Sequence, residues 1–136
     1  MGKDCTKEGW ISFILRIAMA SLFAMAAAGK FVGGLDNIVA QFIGMFQSTW
    51  LPAPLVSLYA RLLPWAEAAL AVWLVLGIRL QEAWISTAFV LISLAFGLMV
   101  VHEPTSSSLY IYILVACAGL YFSSYDTCTI EKWMKK

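Results

Sequence analysis

The chain has 136 residues, of which 62% are hydrophobic and only 12% are charged. A soluble domain is closer to half apolar and a quarter charged, so this composition excludes an ordinary soluble protein and indicates an integral membrane protein. The formal net charge of +1 argues against a nucleic-acid partner. Because an α-helix rises about 1.5 Å per residue, we expect a single membrane domain over residues 1–136, with short connections and no soluble domain.

The apolar runs predict four spanning helices, at about residues 10–31, 53–78, 83–101 and 107–123. The first run is too long for a secretory signal and lacks a cleavage site before its end, so we expect no signal peptide. A segment at about 35–47 is amphipathic but too short and polar to span. The predicted fold is therefore all-α: four transmembrane helices, with one interfacial amphipathic helix rather than a re-entrant segment between the first and second.

Positively charged residues predict the orientation. Lys30 alone falls clearly on one side of the predicted bundle. The other side carries Lys3, Lys7, Arg79, Lys132, Lys135 and Lys136. By the positive-inside rule we expect a multi-pass protein of the inner (cytoplasmic) membrane with both termini in the cytoplasm.

Glu67 is the carboxylate of an almost wholly apolar stretch, Leu62 to Gly77, and falls near the middle of the second span. An ionisable group at that depth costs about 3 kcal/mol or more, so it must be paired, protonated or used. Helical rise places Glu67 about 16 Å and Arg16 about 10 Å from the cytoplasmic ends of their spans, which predicts a buried Arg16–Glu67 pair. Arg61 is the competing partner for Glu67 if a kink or division of the helix at Pro64 brings the two side chains together. This polar centre would either fix helix packing or let Glu67 relay protons.

Other site chemistries find little support in the sequence. His102 is the only histidine, so one chain cannot supply two histidines to haem, and we expect no metal site. Cys5, Cys117 and Cys128 stand singly without a CxxC motif, which disfavours a disulfide exchanger. No phosphate-binding loop or hydrolase elbow is present.

Aromatic side chains in the predicted spans could line a site for quinone or pigment, or could serve packing alone. Trp65 and Trp73 are the first candidates for such a lining, and Phe89 and Phe96 are further ones. We therefore expect no cofactor bound covalently or by metal ligation, and name quinone or lipid as the candidate small-molecule contacts.

Several of these residues together give a resemblance to the DoxX-like and MauE-like group of small four-helix membrane proteins, over about residues 10–123. The residues that carry it are Arg16, Phe23, Gly29, Lys30, Glu67, Gly77 and Arg79. The group includes the small membrane subunit of thiosulfate:quinone oxidoreductase. The resemblance implies a membrane partner of redox enzymes that meets the quinone pool, with functional positions carried over onto Arg16, Lys30, Glu67 and Arg79. The MauE branch is associated with disulfide chemistry, for which this chain has no paired-cysteine motif.

The expected function is that of an accessory subunit of a respiratory or photosynthetic electron-transfer complex. Its expected partners are the lipid bilayer and a larger membrane complex or a soluble oxidoreductase. The lack of a redox ligand in the sequence favours a non-catalytic role. One alternative is a quinone-reactive subunit in which Glu67 relays protons. Another is a small proton-coupled transporter, although the second half shows no inverted repeat or matching broken helix.

Overall fold

The structure, a computed structural model, describes residues 6–102, 104, 106–126 and 134. They form five α-helices and a short 3-10 helix at Ser123–Tyr125. The α-helices are α1 (Lys7–Gly33), α2 (Leu35–Phe46), α3 (Ala53–Leu76), α4 (Leu80–Val100) and α5 (Ser106–Phe122). Four helical stretches, at α1, α3, α4 and α5, are long and apolar enough to cross a membrane. The all-helical class and the four apolar helices are thus confirmed, whereas the interfacial position of α2 stays a prediction.

Local sequence explains where the helices begin and end. The Thr6 side chain accepts a hydrogen bond from the Gly9 amide at 3.2 Å and caps α1. Pro54 lies in the first turn of α3, where a missing N–H costs nothing. Gly77 ends α3 in the left-handed conformation (φ 70°), and α4 begins at Leu80 after a tight turn.

The four long helices pack as two pairs. α1 lies mainly against α3, and α4 mainly against α5, while contacts between α1 and α5 and between α3 and α4 join the pairs. The largest apolar side chains at the centre are almost fully buried: Phe23, Leu74, Trp84 and Leu91. Small buried residues allow the helices to approach closely, as membrane helices commonly do: Ala20, Ala71, Ala83 and Ala116.

Trp84 and Gly119 set the contact between α4 and α5. A Cβ atom added at Gly119 would lie 2.4 Å from the Trp84 ring, so only glycine fits beside the indole. Trp84 is fully buried, and this contact therefore fixes how α5 sits on α4.

Ring contacts fix the register of α1 and α2 along α3. Phe31, near the end of α1, meets Trp65 edge to face with ring centroids 5.0 Å apart. Phe42 of α2 lies 6.5 Å from Tyr59, nearer the start of α3. Gly34, at φ 89°, turns the chain between α1 and α2. The last turn of α1 therefore lies beside the middle of α3, and α2 packs along the first half of α3.

Candidate functional site

Two ion pairs, one partly buried and one fully buried, form the polar centre of the molecule, and the partly buried pair joins α1 to α3. The Lys30 Nζ donates to both carboxylate oxygens of Glu67, at 2.9 Å to Oε1 and 2.6 Å to Oε2. The Glu67 side chain is 3% exposed and that of Lys30 is 19% exposed. The carboxylate that the sequence singles out thus has a cationic partner.

Both members of this pair lie on long helices. Lys30 lies in the last turn of α1, where the helix dipole favours a cation. Glu67 precedes the end of α3 at Leu76 by nine residues, about 13 Å along the axis. α3 runs on through the buried Pro64, so the helix is not divided there. The pair therefore rests on two helix bodies and not on a loop.

The second pair joins α1 to the segment after α5. Arg16 Nη1 donates to Asp126 Oδ2 at 3.1 Å, and the Ser12 hydroxyl donates to the same oxygen at 3.1 Å. The side chains of Arg16 and Asp126 are 2% and 0% exposed. This cluster holds the end of the described bundle to the first half of α1.

The predicted Arg16–Glu67 pair is replaced by these two pairs. Arg16 could meet Glu67 only if the first two spanning helices shared one register, whereas α3 extends past the end of α1. Glu67 is therefore level with the last turns of α1. Arg16 precedes Lys30 by fourteen residues, about 21 Å along α1, which is far beyond the reach of a side chain.

The residue pattern predicted no ion-pair partner role for Lys30 or Asp126. Lys30 was placed on one side of the predicted bundle and was a functional position only through the family resemblance, whereas Asp126 had no predicted role. The position of Lys30 in the last turn of the first apolar run could have indicated it as a partner for Glu67. Asp126 could have been identified as a partner for Arg16, because it is the first acid after the fourth span and lies on the same predicted side as Arg16.

The other predicted site residues lie apart from the buried carboxylate. Arg61 is exposed on the outside of α3, so the structure does not bring it into the polar centre. Trp65 is 61% exposed and contacts Phe31. The Trp73 Nε1 donates to the Ile78 carbonyl at 2.6 Å, which ties down the turn after α3. Trp65 and Trp73 thus have different contacts in the structure, and a site lined by both stays a prediction.

A different set of aromatic residues lines an apolar groove of about 230 Å³ between α2, α3 and α4. Among its lining residues are Phe42, Phe46, Tyr59, Ser93 and Phe96. Ser93 Oγ donates to the Val90 carbonyl at 2.7 Å and lies 2.8 Å from the Tyr59 hydroxyl, so the tyrosine is the donor between them. Phe96 is the one aromatic residue of the predicted set in this lining, whereas Phe89 is 67% exposed on α4.

Among the residues that the structure describes, no group of three or more His, Cys, Asp and Glu side chains could hold a metal ion. His102 is exposed after the end of α4, and Cys117 is exposed on α5. Cys5 and Cys128 lie outside the described residues. The polar chemistry of the described bundle is chiefly that of its two charge pairs.

Comparison with known proteins identifies the family. The chain matches the family described as "Methylamine utilisation protein MauE" over residues 8–108, which is well over half its length. The chain belongs to the MauE family. This membership confirms the MauE part of the resemblance, while the likeness to DoxX stays a prediction. No curated protein and no solved structure matches this MauE-family chain significantly.

Only one of the two ion pairs lies wholly within the range that matches the MauE family. Lys30 and Glu67 both lie within residues 8–108, whereas Asp126 lies beyond that range. The Lys30–Glu67 pair is therefore contained in the part of the chain that is like other MauE proteins. The Arg16–Asp126 pair ties that part to the remainder.

Proposed function

We propose that this MauE-family chain is a non-catalytic membrane accessory protein of a redox system that uses a primary amine. The observation that carries the proposal is the family match, because the family is named for methylamine utilisation. A cell that uses methylamine as a nutrient must oxidise its carbon, so such a system includes an oxidoreductase. The chain would serve that enzyme from within the membrane.

The two ion pairs support a positioning role for the polar centre. Glu67 and Asp126 each have a cation at hydrogen-bond distance. Membrane polar contacts average only about 1 kcal/mol or less, and buried ion pairs offset much of their attraction by desolvation. Such pairs hold helices in one register more than they add stability. A scaffold for a partner needs that fixed geometry.

A quinone-reactive subunit is the second candidate, and the groove beside Tyr59 favours it. Its wall is apolar and aromatic, with the hydroxyls of Tyr59 and Ser93 as polar groups that could orient a ring. In this candidate Glu67 relays a proton, for which it must first separate from Lys30. The DoxX-like resemblance and its link to the quinone pool belong to this candidate.

Growth and co-purification test the proposal. Removal of the chain from its host should abolish or slow growth on methylamine and leave growth on other substrates unchanged. The full chain, purified in mild detergent from amine-grown cells, should bring an oxidoreductase with it. Unchanged growth of the deletion strain on methylamine would overturn the proposal.

The double variant Lys30→Met/Glu67→Gln separates the two candidates. An accessory protein needs the helices in register, and the ring contact of Phe31 with Trp65 keeps α1 in place on α3 once both charges are removed. The double variant should therefore restore amine-dependent growth in the deletion strain. A proton relay needs the carboxylate itself, so in that case the double variant would assemble with its partner and fail to support growth. Assembly and growth are measured on the same cells, with Lys7→Gln, at an exposed cation in the first turn of α1, as the charge-removal control.

A further inference from the structure

Arg61 is a charged side chain exposed on the surface of a helix long and apolar enough to cross a membrane. Within the described part of the chain it has no hydrogen-bond, ion-pair or ring partner. Helical rise places it about 12 Å from the start of α3 and about 22 Å from its end. An unpaired charge at such a depth costs free energy, and an anion from outside this chain would lower that cost for Arg61.

The geometry of a helix aims this arginine at the nearer membrane surface. In an α-helix the Cα–Cβ bonds tilt towards the N-terminus, and long side chains lean the same way. The N-terminus of α3, at Ala53, is the nearer end for Arg61. An arginine stem extends roughly one helical turn, about 5.4 Å, and can lie along apolar surface while its head reaches polar groups. The guanidinium therefore comes within reach of the headgroup layer on that side.

The side chains around Arg61 favour a lipid over another helix. Leu58, Leu62 and Trp65 are 56%, 56% and 61% exposed, and with Arg61 we name them the Arg61 face. Closely packed membrane helices meet through small residues, as Ala20 and Ala71 do in the buried core. The large residues of the Arg61 face keep a second helix at a distance but offer apolar surface to an acyl chain.

We propose that the Arg61 face binds an anionic phospholipid in the leaflet at the Ala53 end of α3. The guanidinium donates hydrogen bonds to the headgroup phosphate, whose oxygens match its planar fork. An acyl chain lies along Leu62 and Trp65, and the contact of Trp65 with Phe31 holds that ring in place. A headgroup with net negative charge binds better than phosphatidylcholine, whose own cation competes with the arginine.

The test is a titration of the purified full chain in detergent with phosphatidylglycerol or phosphatidylcholine, with bound lipid counted by native mass spectrometry. The wild type should bind phosphatidylglycerol more tightly. Arg61→Gln should weaken phosphatidylglycerol binding roughly tenfold, the factor that about 1.4 kcal/mol gives, and weaken phosphatidylcholine binding by a smaller factor. Arg79→Gln is the matched change in an exposed arginine beyond the other end of α3. It should change the affinity for phosphatidylglycerol by less than about twofold.

Equal wild-type affinity for the two lipids would overturn the proposal, as would unchanged phosphatidylglycerol binding in Arg61→Gln. If Arg61→Gln instead disrupts a dimer or a complex and lipid binding stays intact, the face belongs to a carboxylate-bearing helix and the proposal fails. Circular dichroism and elution volume check that the variant folds. If it does not fold, salt gives a second readout on the wild type: phosphatidylglycerol binding that does not weaken as ionic strength rises contradicts a charge-based site.

Discussion

Lys30 and Glu67 show how one buried charge makes its partner necessary. Lys30→Met leaves a carboxylate that is 3% exposed without its cation, and loss of one partner of a buried pair costs about 3–5 kcal/mol in soluble proteins. Glu67→Gln should cost less, because Lys30 is 19% exposed and its stem can carry the ammonium towards water. The double variant removes both charges and should recover most of the loss. Thermal unfolding of the detergent-purified variants measures all three.

Arg79→Gln gives the control for this comparison. Arg79 forms an exposed ion pair with Glu82, and exposed pairs contribute at most about 1 kcal/mol. The thermal unfolding midpoint of Arg79→Gln should therefore stay near that of the wild type. If the losses of the two single variants simply add in the double variant, Lys30 and Glu67 are not energetically coupled.

Gly119 makes a second residue-scale prediction, because its missing side chain leaves room for an indole. Gly119→Ala places a Cβ 2.4 Å from the Trp84 ring and should destabilise the bundle by about 1–3 kcal/mol through overpacking. Gly29→Ala is the matched control, since nothing lies within 4 Å of its added Cβ. Alanine favours helix over glycine, so the control should be neutral or slightly stabilising in thermal unfolding. An equal loss in both variants would contradict the packing argument.

At the scale of the helices, the sequence predicted positions well and register poorly. Apolar runs and their Pro and Gly boundaries place every α-helix within three residues of its limits in the structure. These signals are local, so they carry no information on how far one helix slides along another. The ring contact of Phe31 with Trp65 decides that register, and with it the partner of Glu67. A pairing inferred from membrane depth alone could not find Lys30.

The junction of α1 and α2 depends on Gly34. Its φ of 89° is a conformation that residues with a side chain rarely adopt, so Gly34→Ala should cost about 1–3 kcal/mol. Gly33→Ala is the control, because Gly33 has no positive φ and no atom within 4 Å of an added Cβ. Comparison of the two unfolding midpoints tests the junction. A larger loss in Gly33→Ala would show that backbone conformation is not what limits this position.

α5 is the helix that relies most on a polar contact. Only 17% of its apolar window is buried, compared with 39% for α3, so its apolar packing alone holds it weakly. Asp126→Asn should therefore speed hydrogen exchange in the last turns of α5 and leave α3 unchanged. Ser12→Ala should have a smaller effect, about 1 kcal/mol, because it removes one hydrogen bond and no charge.

Ser21→Ala is the control for this experiment. Ser21 is exposed and its hydroxyl donates to the Ala18 carbonyl within α1, so it has no part in holding α5. Exchange in α5 should match the wild type in this variant. If Asp126→Asn also leaves exchange at the end of α5 unchanged, the cluster with Arg16 does not anchor that helix.

For the whole molecule, composition alone was enough to predict a membrane protein, because 62% hydrophobic residues exceed what a soluble fold of this length carries. The polar centre was only partly predictable. Glu67 stands out as a lone carboxylate in an apolar run, but the second cluster needs residues that are 110 positions apart, Arg16 and Asp126. Such contacts follow from the assembled bundle, and no local pattern reveals them.

The Arg16–Asp126 pair also bears on topology. It places the first half of α1 and the end of α5 at one end of the bundle, as an even number of spans requires. That end is also the end of the turn between α3 and α4, where Arg79 lies. The excess of positive residues there predicts that it faces the cytoplasm.

Cysteine labelling tests this orientation in a chain whose native cysteines, Cys5, Cys117 and Cys128, are replaced by serine. Asp36→Cys in α2 and Gln81→Cys at the start of α4 introduce exposed thiols near opposite ends of the bundle. A membrane-impermeant maleimide added to intact cells should label residue 36, because α2 is expected in the outer interface, and should label residue 81 only after permeabilisation. Labelling in the reverse order would invert the topology. Protection of residue 36 from both sides would place α2 within the bundle and contradict an interfacial helix.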